Sequence, residues 1–201
     1  IVDTDVVAGR VELAVEIGFP AGALNVVTGY GHEAGAALTA HPGIDHISFT
    51  GSTVTGRRVA EAAATRHFPV TRELGGQSPQ LVFDDADLDA ALPVVVNAII
   101  QNAGQTCSAG SRLLVQRGIY ETVLDRLSER FSALRAGPPA LELEMGPLVN
   151  RKQFELVQGF IRQAEEAHIP VMARGTLHAD AASAGFYQPA VLFRDVPHES
   201  A

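Results

Sequence analysis

The sequence is poor in cysteine, in basic residues and in aromatic side chains. Its 201 residues include one cysteine, no tryptophan, and 15 lysine and arginine residues against 23 aspartate and glutamate residues. A single cysteine excludes an internal disulfide and a cysteine-rich zinc module. The formal net charge of −8 leaves no broad basic face for nucleic acid or anionic lipid, although local backbone amides can still bind an anionic ligand.

Long hydrophobic runs are also missing. The longest, from Ala90 to Val96, contains Pro93 and is far shorter than the roughly 20 residues of a membrane span. The first residues, IVDTD, lack the basic region and apolar core of a signal peptide. We therefore expect a cytoplasmic protein that binds neither nucleic acid nor membrane. Because Ile1 is not an initiator methionine and a helical pattern starts almost at once, we also expect a fragment of a longer protein.

Helical and extended patterns alternate along the chain, which predicts an α/β fold with a parallel sheet. The predicted strands cover residues 24–28, 44–50, 69–74, 80–83, 112–116, 170–173 and 186–193. The predicted helices cover about residues 4–17, 33–40, 51–66, 87–102, 119–134 and 151–168. The glycine pair at residues 75–76 is the most hinge-like point, and residues 174–185 are predicted to form a surface loop.

The first glycine-containing turn runs from Gly29 to Gly35. Its glycines at 29, 31 and 35 depart from the G-x-G-x-x-G spacing of a dinucleotide fingerprint. The position 20 residues after Gly35 is Thr55, where the fingerprint needs an acidic residue. The alternative to a ligand site is a strand-to-helix turn that needs a positive φ angle.

A second candidate is the segment FTGSTVTGRR, residues 49–58. Gly51 and Ser52 lie where a strand leads into the N-terminus of a helix. Free amides and the helix dipole at such a point suit a phosphate, and Ser52 adds a hydroxyl donor. A serine that caps the helix without any ligand is the alternative. A P-loop is excluded, because the Walker lysine is missing.

Acidic residues and histidines do not indicate a metal site. Asp85, Asp87 and Asp89 resemble the first ligands of a calcium loop, but Ala90 and Val96 occupy the positions that need glycine and glutamate. Acidic residues at the start of a helix, stabilised by its dipole, explain this run better. The histidines lack the helical i,i+4 spacing of a common metal-binding pair.

Two side chains suit nucleophilic chemistry. Cys107 lies in QNAGQTCSAGSR, residues 101–112, where small residues offer open space and close backbone amides to a thiol. A buried cysteine that only fills space is the alternative. Glu73 is a carboxylate at the end of a largely apolar strand, and an exposed strand end with a salt bridge is its alternative.

Three motifs together resemble those of the NAD(P)-dependent aldehyde dehydrogenase superfamily. They are RELGGQSPQLVFDDADLDAAL, QNAGQTCSAGSRLLVQ and FTGSTVTGRR, and they occur in that family's order. The 34 residues from Glu73 to Cys107 match its Glu-to-Cys spacing. NVVTGYG, EMGPLVN and GFYQPAVLF resemble weaker landmarks. The resemblance implies the later part of a Rossmann-like cofactor domain in residues 1–74 and the first part of an α/β catalytic domain in residues 75–201.

The resemblance also implies roles for individual residues. Cys107 corresponds to the catalytic nucleophile and Glu73 to the general base. Gly51 and Ser52 correspond to residues at the cofactor pyrophosphate, and Leu74 to the residue on the nicotinamide side. The full set of cofactor-binding residues that the resemblance implies is Gly29, Gly51, Ser52, Thr53, Thr55, Gly56 and Leu74. Within this set, the first glycine and Thr55 lie where the family packs the adenine.

The implied activity is oxidation of a small-molecule aldehyde to a carboxylic acid with NAD or NADP. It proceeds through a thiohemiacetal and a thioester on Cys107, which water activated by Glu73 hydrolyses. The resemblance implies a homo-oligomer for the full-length protein. Two alternatives are a CoA-acylating semialdehyde dehydrogenase, whose members typically lack the base, and a non-catalytic relative. The sequence names neither the aldehyde nor the preferred dinucleotide.

Overall fold

The computed structural model describes residues 4–183 and 185–200. The chain divides between Leu74 and Gly75 into two compact units, here called the first unit and the second unit. Their roles as a cofactor-binding and a catalytic domain stay predictions.

The first unit is built around one strand–helix–strand repeat. Its elements are α1 (Thr4–Glu16), a π-helical turn (Gly31–Gly35) that continues into α2 (Ala36–Ala40), β1 (Ile47–Gly51), α3 (Thr53–Arg66) and β2 (Val70–Leu74). Strands β1 and β2 are parallel, with Ile47 opposite Val70 and Gly51 opposite Leu74. Helix α3 connects them and buries Val59 against the sheet side of the unit. This is the α/β pattern that the sequence predicts for residues 44–74.

The strand predicted at residues 24–28 is wrong. In the described chain these residues pair with no strand, and Val26 and Val27 are exposed. The Asn25 amide instead donates a hydrogen bond to the Gly22 carbonyl at 2.7 Å. A short apolar run is compatible with a strand, but only a hydrogen-bonded neighbour makes it one.

The second unit contains three helices and six short strands among its described residues. They are β3 (Gln80–Val82), α4 (Leu88–Ile100), β4 (Leu113–Val115), α5 (Tyr120–Ala133), β5 (Arg135–Ala136), α6 (Arg151–Glu166), β6 (Val171–Arg174), β7 (Thr176–Leu177) and β8 (Val191–Phe193). Pairs β3–β4 and β5–β7 are parallel, whereas β6–β8 is antiparallel. The fold is therefore α/β with small parallel sheets, as predicted, plus one antiparallel pair that the prediction lacked.

The core of the second unit lies between α4 and α5. Leu92 on α4 and Val123 and Leu127 on α5 are the large side chains with the least exposure. Helix α4 begins at Leu88 because the Asp87 carboxylate accepts hydrogen bonds from the Asp89 and Ala90 amides, at 3.0 and 3.2 Å. The prediction that these acidic residues start a helix is confirmed.

The prediction of a loop over residues 174–185 is wrong in part. This stretch contains β7 and a 3₁₀ turn at Ala179–Ser183, and Ala181 is 3% exposed. Strands as short as β5 and β7 span two residues each, so they carry no alternation that a sequence pattern could reveal.

Two further expectations concern metals and membranes. Over residues 4–183 and 185–200, histidine, cysteine and carboxylate side chains form no cluster of three that could hold a metal ion. Within the same residues, every helix is too short or too polar to cross a bilayer.

Candidate active site

The turn between β1 and α3 is organised by Ser52. Its backbone is extended, with φ −69° and ψ 149°, which makes it the N-cap of α3. The Ser52 hydroxyl oxygen accepts a hydrogen bond from the Thr55 amide at 3.3 Å, and the hydroxyl donates to Thr55 Oγ1 at 3.0 Å. The Gly56 amide donates to the Ser52 carbonyl at 2.8 Å. The sequence left open whether this serine caps the helix; it does.

Capping leaves part of the helix N-terminus available to a ligand. Among the described residues, the Thr53 and Val54 amides have no acceptor. Both residues are exposed, and so is Gly51 just before them. Free amides at the positive end of a 14-residue helix suit an anionic group. The residues present therefore fit the phosphates of a dinucleotide.

The parallel register brings three of the candidate residues, Gly51, Glu73 and Leu74, to one sheet edge. Gly51 lies opposite Leu74, and Thr50 lies opposite Glu73. Because parallel strands end at the same edge, Glu73 and Leu74 lie beside the start of α3. Glu73 is exposed, and it forms no ion pair with any residue that the structure describes. The alternative of a salt-bridged strand end therefore lacks support.

Gly56 is required by packing in the first unit. It is buried on α3, and a Cβ at this position would lie 2.6 Å from Leu74 Cδ2. The side chain of Leu74 thus occupies the space that any larger residue at position 56 would need. Two candidate cofactor residues are therefore in direct contact across the sheet and helix.

Gly29 has a backbone reason to be glycine. Its φ is +154°, and a Cβ there would lie 2.9 Å from the Cβ of Ala34 in the following π turn. The alternative interpretation, a turn that needs a positive φ angle, therefore holds for the backbone of Gly29. The nearby Ala34 is not a candidate cofactor residue. A role of Gly29 beside the adenine therefore stays a prediction.

Cys107 lies in an exposed turn of the second unit. The chain leaves α4 at Ile100, and Asn102, Ala103 and Gly104 then adopt positive φ angles of 51°, 54° and 77°. Left-handed conformations in non-glycine residues cost about 1–3 kcal/mol each and persist where the surroundings enforce them. The cysteine itself is exposed, so the prediction's alternative of a buried space-filling thiol is wrong.

The backbone after Cys107 is held firmly. Ala109 and Gly110 are buried, and the Gly110 amide donates to the Ala98 carbonyl on α4 at 3.0 Å. The Ala109 amide donates to the Thr106 carbonyl at 3.2 Å and closes the turn around the thiol. Over the residues the structure describes, the Cys107 amide has no acceptor, so it can donate to an oxygen formed beside the thiol.

Gln105 is a site residue that sequence reasoning missed. Its side-chain amide bonds to Asn102, Pro147 and Val149, and so links the cysteine turn to a distant segment. A long polar side chain two residues before the thiol, in a run of small residues, is the signal that could have found it.

Two carboxyl groups of the second unit have pKa values lowered by hydrogen bonds from neighbouring side chains. A hydrogen bond from the Arg135 guanidinium lowers the pKa of Glu144, to which Arg135 donates from Nε at 3.2 Å and from Nη2 at 3.0 Å. The pKa of Asp195 is lowered mainly by a hydrogen bond from Arg194 and secondly by one from Tyr120. Neither of these groups of side chains contacts the cysteine turn through a hydrogen bond or ion pair.

The sequence as a whole matches the model of the aldehyde dehydrogenase family over residues 6–201. The chain belongs to this family. An aldehyde dehydrogenase from Emericella nidulans is 43% identical over 187 residues, which make up 92% of this chain and 37% of that protein. An aldehyde dehydrogenase from Aspergillus niger is 42% identical, and the chain spans little more than a third of the length of both relatives.

Solved structures show the same family. A crystal structure from Burkholderia cenocepacia, described as an aldehyde dehydrogenase, is 60% identical, covers 95% of this chain and 40% of that one, and has a TM-score of 0.93. The NAD⁺ complex of an aldehyde dehydrogenase from Bacillus cereus is 40% identical, with a TM-score of 0.89 over 96% of this chain and 39% of that one. The predicted aldehyde dehydrogenase-like α/β fold is confirmed.

Proposed function

We propose that this chain supplies the nucleophile and the general base of an NAD(P)-dependent aldehyde dehydrogenase. The observation that carries the proposal is the exposed Cys107 thiol, held in an anchored turn beside an open backbone amide. Glu73 supports it as an exposed carboxylate at the carboxyl end of β2. Residues 1–74 would then belong to the cofactor-binding domain and residues 75–201 to the catalytic domain.

The cofactor site of the proposal lies at the edge shared by β1, β2 and α3. Gly51, Ser52 and Thr53 would hold the pyrophosphate through the open amides of the helix N-terminus. Leu74 would face the nicotinamide side, because it ends the neighbouring strand opposite Gly51. NAD or NADP, when bound, supplies the acceptor for the hydride that leaves the substrate carbon. Gly29 and Thr55 would lie near the adenine.

The first chemical role belongs to Cys107. Its thiolate attacks the aldehyde carbon, a carbon–sulfur bond forms, and the electron pair of the carbonyl moves to oxygen. The Cys107 amide donates a hydrogen bond to that oxygen, and such a donor is worth about 10²–10³ in rate. When the carbon loses its hydride, the oxygen electron pair reforms the carbonyl and a thioester remains on Cys107.

The second role belongs to Glu73. Its carboxylate takes a proton from water as that water attacks the thioester carbon. The carbon–sulfur bond then breaks, the carboxylic acid leaves, and Cys107 returns to its thiolate form. We further propose, from the family resemblance, that the complete protein is a cytoplasmic homo-oligomer.

The decisive experiment measures NADH or NADPH formation by the complete natural protein with a series of aldehydes. We expect turnover without CoA, because water is the acyl acceptor. Cys107→Ala should abolish turnover and leave the dissociation constant of the dinucleotide within about two-fold, since the thiol makes no phosphate contact in this proposal. Ser108→Ala, in the same exposed turn, is the matched control and should stay near wild-type activity.

Two results would overturn the proposal. Turnover that survives Cys107→Ala would exclude the thiol as nucleophile. Strict dependence on CoA, with an acyl-CoA product, would favour the CoA-acylating class and leave Glu73 without a role as base.

A further inference from the structure

We propose that Gln105 is a positioning residue, which holds the Cys107 turn in its reactive place by binding the backbone of residues 147–149. The inference rests on the proposed function and deepens it. It explains why the segment EMGPLVN, which contains these residues, accompanies the cysteine motif although it carries no reactive group.

The geometry of Gln105 is that of a two-point clamp. Its Nε2 donates to the Pro147 carbonyl at 3.3 Å, and its Oε1 accepts from the Val149 amide at 2.8 Å. A residue of a neighbouring parallel strand bonds in the same way to the residues before and after its partner. The side-chain amide of Gln105 thus makes the two hydrogen bonds that a neighbouring parallel strand would make on either side of Leu148. A further bond from Nε2 to the Asn102 carbonyl, at 3.0 Å, ties the clamp to its own loop.

The segment that Gln105 binds is itself fixed in the second unit. Leu148, between the two bonded residues, is 5% exposed, and its amide donates to the Phe186 carbonyl at 2.8 Å. Gln105 therefore anchors the exposed turn that carries the thiol to a segment whose central residue is buried. A bond to a mobile surface loop could not do this.

The cysteine turn needs an anchor on its N-terminal side. On its C-terminal side, the Gly110 amide is bonded to α4. On its N-terminal side, Asn102, Ala103 and Gly104 are all left-handed, a conformation that relaxes unless the surroundings hold it. Gln105 is the link that comes next in the chain. Without it, Cys107 would be held from one side only.

The test replaces Gln105 with methionine in the complete protein. Methionine keeps the length of the side chain and removes all three hydrogen bonds. We expect kcat to fall about ten-fold or more, because a nucleophile displaced by about 1 Å can lose up to about 100-fold in rate. The KM for the aldehyde should change by less than about two-fold, since the substrate pocket is not altered.

Gln116→Met is the matched control. Gln116 also makes a two-bond clamp in the second unit, accepting from the Asp84 amide at 3.0 Å and donating to its carboxylate at 2.7 Å. This clamp joins β4 to the end of β3 and does not touch the cysteine turn. Its loss should lower the melting temperature without lowering kcat of the folded protein.

Alkylation by iodoacetamide separates positioning from a general loss of structure. At a pH where the thiol is fully ionised, this small reagent needs no fixed direction of approach. Its rate with Cys107 should therefore stay within about two-fold of wild type in Gln105→Met, while kcat falls. Unfolding would instead change the alkylation rate and the circular dichroism together. If Gln105→Met unfolds, Gln105→Glu takes its place, because it keeps the acceptor for Val149. Its kcat should fall by more than about two-fold, because the bonds to Pro147 and Asn102 are lost.

Each outcome decides the proposal. A kcat for the folded Gln105 variant within about two-fold of wild type, or equal to that of Gln116→Met, overturns the positioning role. A matching fall in alkylation rate and kcat also overturns it, because the thiol itself would then be altered. Loss of turnover in Cys107→Ala alongside an active Gln105→Met leaves the proposed function standing and rejects this inference alone. Turnover that survives Cys107→Ala rejects both.

Discussion

Glu73 is an exposed carboxylate near the end of β2, where water can reach it. A carboxylate that water can reach is suited to take a proton from that water as it attacks a thioester. In the proposed mechanism, Glu73 acts after Cys107, because the thioester must form before water can hydrolyse it. In kinetic terms, the two residues should control different phases of one turnover.

Glu73→Gln should slow the steady state more than the first burst of NADH. Glutamine keeps the size of the side chain and cannot accept a proton, so deacylation should fall about 100-fold or more while the burst rate changes little. Rapid-mixing absorbance at the NADH band measures both phases. Glu61→Gln, an exposed acid on α3, removes the same charge and should leave both phases unchanged. An unaltered steady-state rate in Glu73→Gln would contradict the base role.

The ion pair of Arg135 and Glu144 makes stability depend on pH at the residue scale. The hydrogen bond from Arg135 lowers the pKa of Glu144 in the folded state. The pair therefore stabilises the fold above the carboxyl's unfolded pKa of about 4.3, and this contribution is lost as pH falls through the lower folded pKa. Glu144→Gln should lower the melting temperature slightly at pH 7 and not at strongly acidic pH. Thermal scans across pH check this; a loss that is constant with pH would show that charge is not involved.

At the scale of elements, the N-terminus of α3 combines a serine cap with backbone amides that are open to a ligand. The Ser52 side chain is used within the helix, while the Thr53 and Val54 amides stay open. A variant that keeps the cap and changes only the charge can separate these two parts. Asparagine and aspartate both cap helices well, and they differ in charge.

Ser52→Asp should therefore weaken dinucleotide binding more than Ser52→Asn. A carboxylate within about 4 Å of a phosphate costs about 1–4 kcal/mol, so its dissociation constant should exceed that of the asparagine variant by about ten-fold or more. The melting temperatures of the two variants should be similar without cofactor. Titration calorimetry with NAD and NADP measures the affinities. Equal affinities would place the phosphates away from this helix.

Helix α4 supports the cysteine turn through its buried face. Leu92→Ala should lower the free energy of unfolding by about 2–5 kcal/mol, because Leu92 is 0% exposed and its removal leaves a cavity. Val94→Ala on the same helix is the control, since Val94 is 66% exposed and should change stability by less than about 0.5 kcal/mol. Urea unfolding measures both. Similar losses in the two variants would show that α4 does not pack as described.

At the scale of the whole molecule, the sequence predicts helices better than strands. Helices α3 and α4 have a cap at the residue before them and a long periodic pattern, and they start within two residues of the predicted positions. The run at residues 24–28 has strand composition but pairs with no described strand, and pairing depends on residues far away in the chain. The antiparallel β6–β8 pair depends on the same long-range geometry.

The candidate site shows the same division. Cys107 and Glu73 could be named because a thiol and a carboxylate are chemically conspicuous in a known order of motifs. Gln105 could not, because its partners lie 42 and 44 residues further along the chain and only folding brings them close. The reason for Gly56 was likewise hidden, since it depends on the side chain of Leu74.

That contact between Gly56 and Leu74 has a consequence for how this sequence can evolve. The space is large enough for one side chain and is filled by leucine, so a larger residue at position 56 requires a smaller one at position 74. Neither change alone should be accepted easily, whereas the two together keep the total volume. In an alignment of natural relatives, the two positions should therefore co-vary, so that a larger side chain at position 56 occurs with a smaller one at position 74.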